Sequence, residues 1–181
     1  MSRAFLKNES ADDPVVIPAR APLPSGATNY VTPRGLGLLN EELGKLERER
    51  AHIQTYERDE TERTRQLALV NGRIGALNQR IATAKVVDVQ THAKDTQIRF
   101  GATIVLRSRH VNQSQTDRTF TIVGVDEADA TKGLIAFTAP IARLLVGKQV
   151  GEQISLQTPK GANVLEIIAV SYNELGPTVV S

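Results

Sequence analysis

TPRGLGLLNEELGKLERERAHIQTYERDETERTRQLALVNGRIGALNQRIATA, residues 32–84, is the stretch that decides the fold. Before its middle, apolar residues fall at Leu36, Leu39, Leu43, Leu46 and Ile53. After it they fall at Leu67, Val70, Ile74, Leu77, Ile81 and Ala84. Both sets step by three or four, the spacing of a coiled-coil seam. Written as an antiparallel hairpin the two sets pair: Leu36 with Ala84, Leu43 with Leu77, Leu46 with Ile74, Arg50 with Val70, Ile53 with Leu67. The residue numbers of each pair sum to 120, so the chain folds back near residue 60. The acidic run Glu57-Arg58-Asp59-Glu60-Thr61-Glu62 therefore sits at the far end of a two-helix rod.

The rod has a legible start. Thr32 is a capping residue, and Pro33 suits the first helical position, where its missing N–H has no partner to lose. The first arm is predicted to run to about Tyr56, the second from about Glu62 to Ala84. Glu41 and Lys45 are spaced for an i,i+4 pair on a solvated face worth a few tenths of a kcal/mol. Arg50 falls on the seam opposite Val70, where a polar residue fixes register at some cost in stability. Gly72 and Gly75 each cost up to about 1 kcal/mol in a helix; they mark an expected close approach to the first arm.

The chain has 181 residues, 22 Lys+Arg, 20 Asp+Glu and a net charge of +2. Residues 1–88 carry 13 basic and 12 acidic residues and residues 89–181 carry 9 and 8, so there is no basic stripe for general phosphate binding. There is no cysteine, which excludes disulfides and thiolate metal sites. No apolar run approaches the roughly 20 residues of a membrane span. The start, Met1-Ser-Arg-Ala-Phe-Leu-Lys7, lacks the apolar core of a secretion signal. A cytoplasmic protein is expected.

Residues 1–31 hold Pro14, Pro18, Pro22, Pro24 and Gly26 without helical or strand period. They read as a flexible tail with an extended piece at Val15–Ile17. From Gln97 the period changes to two. Strands are predicted at Gln97–Ser108, Arg118–Val125, Gly133–Phe137, Gln153–Gln157 and Val164–Tyr172, with a loop at Asn112–Asp117 and a turn at Thr158–Gly161. Pro140–Val146 reads as a short helix closed by Gly147. The class is α+β: an antiparallel coiled coil over 32–85, an antiparallel sheet with one short helix over 90–173, and a loose tail over 174–181.

Several segments, in order, resemble the bacterial Gre-type transcription elongation and transcript cleavage factors (GreA/GreB). These are Tyr30-Val-Thr-Pro-Arg-Gly35, Gly72-Arg-Ile74, Ala84-Lys-Val-Val-Asp-Val89, Phe100-Gly-Ala-Thr103, Ile122-Val-Gly-Val-Asp-Glu-Ala-Asp129, Ala139-Pro-Ile-Ala-Arg143, Leu145-Val-Gly-Lys148 and Thr158-Pro-Lys-Gly161. The resemblance implies an FKBP-like second domain that docks on RNA polymerase through Thr138, Ala139, Pro140 and Arg143. It implies a rod that enters the secondary channel, near the nascent RNA 3′ end, and carries an Asp and a Glu spaced D-x-x-E. Here Asp59 and Glu62 fill that spacing as the implied catalytic pair, with Glu57 and Glu60 as the other tip acids. The implied metal is the polymerase's own Mg²⁺, shared through Asp59 and Glu62, with no cofactor of the chain itself. Mg²⁺ keeps several waters, so two carboxylates on a probe suffice. A monomer and an accessory factor rather than an enzyme are implied.

Two departures from the family bear on this. The arms are about two turns shorter than the family's, so the rod is shorter by roughly 10 Å. The serine that relatives carry before Pro-(Ile or Met)-Ala-Arg is replaced in Thr138-Ala139-Pro140. The alternative within the family is thus a short rod that occupies the channel and competes with longer factors without stimulating cleavage. Outside it stand a prolyl isomerase, which needs an aromatic-lined pocket, and a coiled-coil scaffold dimerising through its seam. Arg143 and Lys148 flank the short helix and are further docking candidates. His52, His92 and His110 are too scattered for a metal site. Asp126, Glu127 and Asp129 resemble a chelating cluster but read better as a turn.

Overall fold

The structure, a computed structural model, describes residues 15–17, 20–92, 96–108, 116–158 and 161–173. The expected leader over 1–14, the loop over 112–115, the turn residues 159–160, His110 and the tail over 174–181 lie outside the described residues.

Helix α1 (Pro33–Tyr56) and helix α2 (Glu60–Ala82) form the rod. Its two ends follow from local chemistry. The Thr32 hydroxyl accepts from the Gly35 N–H at 2.9 Å, with Pro33 in the first turn. At the far end α1 stops at Tyr56 and α2 restarts after the three residues Glu57, Arg58 and Asp59, as the pairing arithmetic requires. Leu39, Leu46, Ile53, Val70, Ile74 and Leu77 are buried in one seam, with Leu36, Leu43, Leu67, Ile81 and Ala84 packed against it. Arg50 is half-buried beside it, and Glu41 pairs with Lys45 at 2.8 Å on the exposed face. At 1.5 Å per residue the 24 residues of α1 span about 36 Å.

The base of the rod is closed by a feature the sequence reading placed in the tail. Asn29–Val31 is a strand, β1, and it pairs in parallel with β2 (Ala84–Val86) in the register Asn29↔Ala84 and Val31↔Val86. Parallel neighbours need a long crossover, and here the whole rod is that crossover. Val31 is buried at the foot of the seam. Three residues with a proline-rich approach carry too little period to announce a strand.

The second half is a five-stranded sheet in the order β5-β4-β3-β7-β6, built from β3 (Thr103–Ser108), β4 (Thr116–Val123), β5 (Leu134–Ala136), β6 (Gln153–Thr158) and β7 (Gly161–Ser171). Three of its pairings are antiparallel. The fourth, β4 with β5, is parallel, so the sheet is mixed where an all-antiparallel one was expected. The reversal needed for an antiparallel pair is undone by the turns over 125–133, which carry the chain back far enough for β5 to run beside the last three residues of β4, Thr121 to Val123. Residues 97–102 are not strand: Tyr172 accepts from the Arg99 N–H at 2.9 Å and donates to the Gln97 carbonyl, pinning this segment as a bend. Helix α3 (Pro140–Leu145) lays Ala142 and Leu145 on a core of Ile98, Ile104, Leu106, Ile122, Ile154, Leu165 and Ile167. Gly147, at φ +86°, follows it as expected.

Candidate functional site

Three places hold the residues singled out above: the tip of the rod, its base, and the face carrying α3.

At the tip Asp59 is the N-cap of α2, and its carboxylate accepts from the Glu62 N–H at 2.8 Å. The D-x-x-E spacing is therefore also half of a capping box. The other half is made differently. The Asp59 N–H donates to Glu57 Oε1 at 3.0 Å, so Glu62 does not reach back; it turns along the helix, accepting from Gln66 at 2.8 Å with Arg65 at 3.5 Å. Asp59 and Glu60 are exposed, and Glu57 and Glu62 are partly so. Two acids in the first turn also suit the positive end of the helix dipole. The donors here are carboxylate oxygens in contact with water, the type Mg²⁺ takes. Among the described residues no group of three or more His, Cys, Asp or Glu could hold a metal ion.

The base is the opposite case. Glu127 is buried, its side chain 1% exposed. It accepts from the Thr32 hydroxyl at 2.6 Å and from Arg34 at 2.7 Å. A Cβ on residue 35 would lie 2.8 Å from Glu127 Oε2, so only glycine lets α1 start so close to the sheet domain. Next to Glu127, Asp126 takes Arg20 at 2.9 Å and stands 3.5 Å from Arg80. Arg20 also forks onto Glu42, at 2.8 and 3.0 Å. That hydrogen-bonded pairing raises the Arg20 pKa above its ordinary value, against the pull of burial and with help from Asp126. Three guanidinium groups thus face three carboxylates. The suspected chelating cluster is a turn, as expected. Asp126 and Glu127 bind arginines, and Asp129 caps the short helical turn at Ala130–Lys132 by accepting from the Thr131 N–H at 3.0 Å.

On the α3 face, Thr138 and Ala139 are half-buried and Arg143 is exposed. Ala139 caps α3 without a side-chain hydrogen bond, since alanine carries no group to make one. Leu144, Val146 and Val150 are exposed beside Arg143. An open cleft of about 570 Å³ lies alongside, lined by Tyr30, Phe100, Phe137, Arg143 and Val146 among others. The three rings stand 5.8–5.9 Å apart by centroid. The second docking candidate, Lys148, is engaged with Glu152 at 3.2 Å.

The sequence reading did not single out Arg20, Glu127 as a partner of Thr32, or Tyr30 as a cleft wall. Each works through contacts far along the chain, such as the 95 residues between Thr32 and Glu127, which no local period records. Gly72 is a correction: it faces Ile17 of the N-terminal segment, not the first arm, and Gly75 faces open space. His52 stacks on Tyr56 at 4.7 Å and His92 lies by Tyr172, each apart from the other. No helix among the described residues is long and apolar enough to cross a membrane.

Residues 92–172 match the family model described as "Transcription elongation factor, GreA/GreB, C-term". The chain is 40% identical over 124 residues to the transcription elongation factor GreA of a Chelativorans species, covering 68% of this chain and 76% of that one. It is 39% identical to GreA of Hyphomonas neptunium, where the match spans 58% of this chain and 64% of the relative's length. Against GreA of a Jannaschia species it is 34% identical over 155 residues, 78% of this chain and 96% of the other. A solved GreA/GreB structure from Nitrosomonas europaea aligns over 81% of this chain and 99% of its own, at 20% identity and a TM-score of 0.39, a superposition too loose to add to the sequence match.

Proposed function

Because the chain belongs to the GreA/GreB family of transcription elongation factors, we propose that it is an accessory factor that binds RNA polymerase, in the cytoplasm and as a monomer. In this reading the sheet domain docks by the α3 face and the rod enters the secondary channel. The observation that carries it is the tip. Two carboxylates one helical turn apart stand exposed at the end of a rod whose seam is already satisfied within one chain. That satisfied seam also speaks against a scaffold dimerising through it.

Docking is supported by the exposed Arg143 beside Leu144, Val146 and Val150. A charged residue at the edge of an apolar patch is the composition of a protein interface. At the far end Asp59 and Glu62 would hold the polymerase's Mg²⁺ from one side. A metal so held supplies an activated water and charge neutralisation for phosphodiester cleavage. The chain's own part is to bring the two acids in one rigid turn. The Glu57–Asp59–Glu62 hydrogen bonds fix the backbone of that turn and leave Asp59 and Glu62 carboxylate oxygens open to water.

The length of the rod favours a second reading. Arms of 24 and 23 residues hold the acids roughly 10 Å short of where the family's longer arms would carry them. A rod of this length occupies the channel and competes with longer factors without stimulating cleavage. The deciding experiment is transcript release from stalled elongation complexes, with wild type beside Asp59→Asn/Glu62→Gln. Asparagine keeps the cap while removing the charge. Cleavage by wild type that is lost in the double variant, with polymerase binding kept, supports the catalytic tip. Wild type that binds, displaces a longer factor and cuts nothing establishes the competitor.

A further inference from the structure

The N-terminal segment does more than lead into the rod. Ile17 lies over Gly72 of α2 so closely that a Cβ there would meet its Cδ1 at 2.1 Å. Arg20 follows, forked onto Glu42 of α1 and bonded to Asp126 of the sheet domain. Arg80 of α2 donates to the Ala21 carbonyl and stands against the same Asp126. Asn29, 3% exposed, donates to the Arg80 carbonyl at 2.9 Å before β1 pairs with β2. Within a few residues the segment thus touches both arms of the rod and the turn of the sheet domain.

From these contacts we propose that residues 20–31, together with Ile17, are a strap that fixes the direction of the rod on the sheet domain, with Arg20 as its positioning residue. Beyond the strap, the rod meets the sheet domain through the Thr32–Glu127–Arg34 cluster at the foot of α1 and the 3.5 Å approach of Arg80 of α2 to Asp126. Contacts confined to the foot of a long rod hold its direction weakly, and small interfaces within a chain permit motion by default. Arg20 adds a second point on α1, at Glu42 in its third turn. Two points on one lever fix its angle. A guanidinium suits this place because its planar fork engages Glu42 with two parallel bonds while an edge remains for Asp126. For polymerase binding the consequence rests on the channel reading above: a rod of fixed direction is ready to enter, and a swinging one must first find its angle.

The test uses the full chain and its lack of cysteine. Spin labels are placed at Gln54→Cys near the tip and Ser155→Cys on β6 of the sheet domain, both exposed positions. Pulsed dipolar spectroscopy then reads the distance distribution between them. The strap predicts a single narrow distance with Arg20 present and a distribution roughly twofold or more broader in Arg20→Ala. It predicts an intermediate width in Arg20→Lys, which cannot fork. Gly72→Leu fills the Ile17 seat while raising helix propensity. It is expected to broaden the distance as Arg20→Ala does, with helical circular dichroism kept. Unchanged widths in Arg20→Ala and Gly72→Leu would overturn the strap, and Gly72→Leu decides alone if Arg20→Ala loses its helix signal. Polymerase binding is measured on the same proteins. If wild type fails to bind, the channel reading falls while the distance test still stands.

Discussion

The base and the tip of the rod are built from the same side chains and treat them in opposite ways. At the base Asp126 and Glu127 are 9% and 1% exposed at the side chain, and arginines stand against both. At the tip Glu57, Asp59 and Glu62 are met by backbone N–H groups, by Gln66 and by an arginine at 3.5 Å, and with Glu60 they keep their contact with water. A buried carboxylate without its cation is costly, so the base admits one arrangement. An exposed one is hydrated whichever way it turns, so the tip keeps oxygen donors for a partner. The difference separates a place where carboxylates are locked by arginines from a place where they stay open to water.

Breaking the base gives the largest effect. Glu127→Ala removes a buried acceptor of both Arg34 and the Thr32 hydroxyl from a nearly dry site, and loss of one partner of a buried pair costs about 3–5 kcal/mol. Urea unfolding followed by circular dichroism should show the midpoint fall accordingly. A loss below about 1 kcal/mol would mean that water reaches Arg34, and that the base is no different from the tip.

The seam between the two ends comes next. Leu77 is fully buried, and Leu77→Ala removes its methyl groups and leaves a void, a change that costs about 2–5 kcal/mol in cores. Two helices can close around a void more readily than a multilayer core, so the low end is expected, again from urea midpoints. Because the seam is continuous, the same variant should fray the tip, seen as faster amide exchange at residues 57–62.

Tip variants should hardly move stability. Asp59→Ala removes the N-cap bond to Glu62, worth about 1 kcal/mol, and Asp59→Asn restores it. If both are equally unstable, the carboxylate stabilises by charge rather than by capping. If Asp59→Asn is as stable as wild type yet alters transcript cleavage, capping and chemistry are separated at one residue.

How much of this was legible beforehand follows from the range of each interaction. The seam, both helix ends, the tip and α3 depend on neighbours within a turn or two, and their residues showed them. The five strands were visible as runs of β-branched residues, but their start points were not: Tyr172 pins residues 97–99 from the other end of the domain. The parallel pairing of β4 with β5 was hidden for the same reason. The base was the least legible. Glu127 and Arg20 act across 95 and 106 residues, and in sequence one looks like a turn acid and the other like a charge in a proline-rich tail. The tip acids were found because the pairing arithmetic gave them a place.

Exposed acids that do have cationic partners are the smallest case, and they test whether burial rather than pairing makes the base special. The Thr131 hydroxyl, then Lys132, hold the Asp129 carboxyl below its ordinary 3.8 in the folded chain. In Asp117 the hydrogen bond from Arg107 does the same. A carboxyl whose folded value is depressed adds stability that is present above the ordinary value and is lost as pH falls through the folded one. Asp129→Asn should therefore melt slightly below wild type at pH 7, and the two curves should converge as pH drops below 3.8. Water screens both residues, so the gap at neutral pH should be far smaller than that of Glu127→Ala at the same pH. A gap of equal size would show that pairing alone, without burial, sets the strength of these contacts, and the contrast between base and tip would then rest on the number of arginines each one meets.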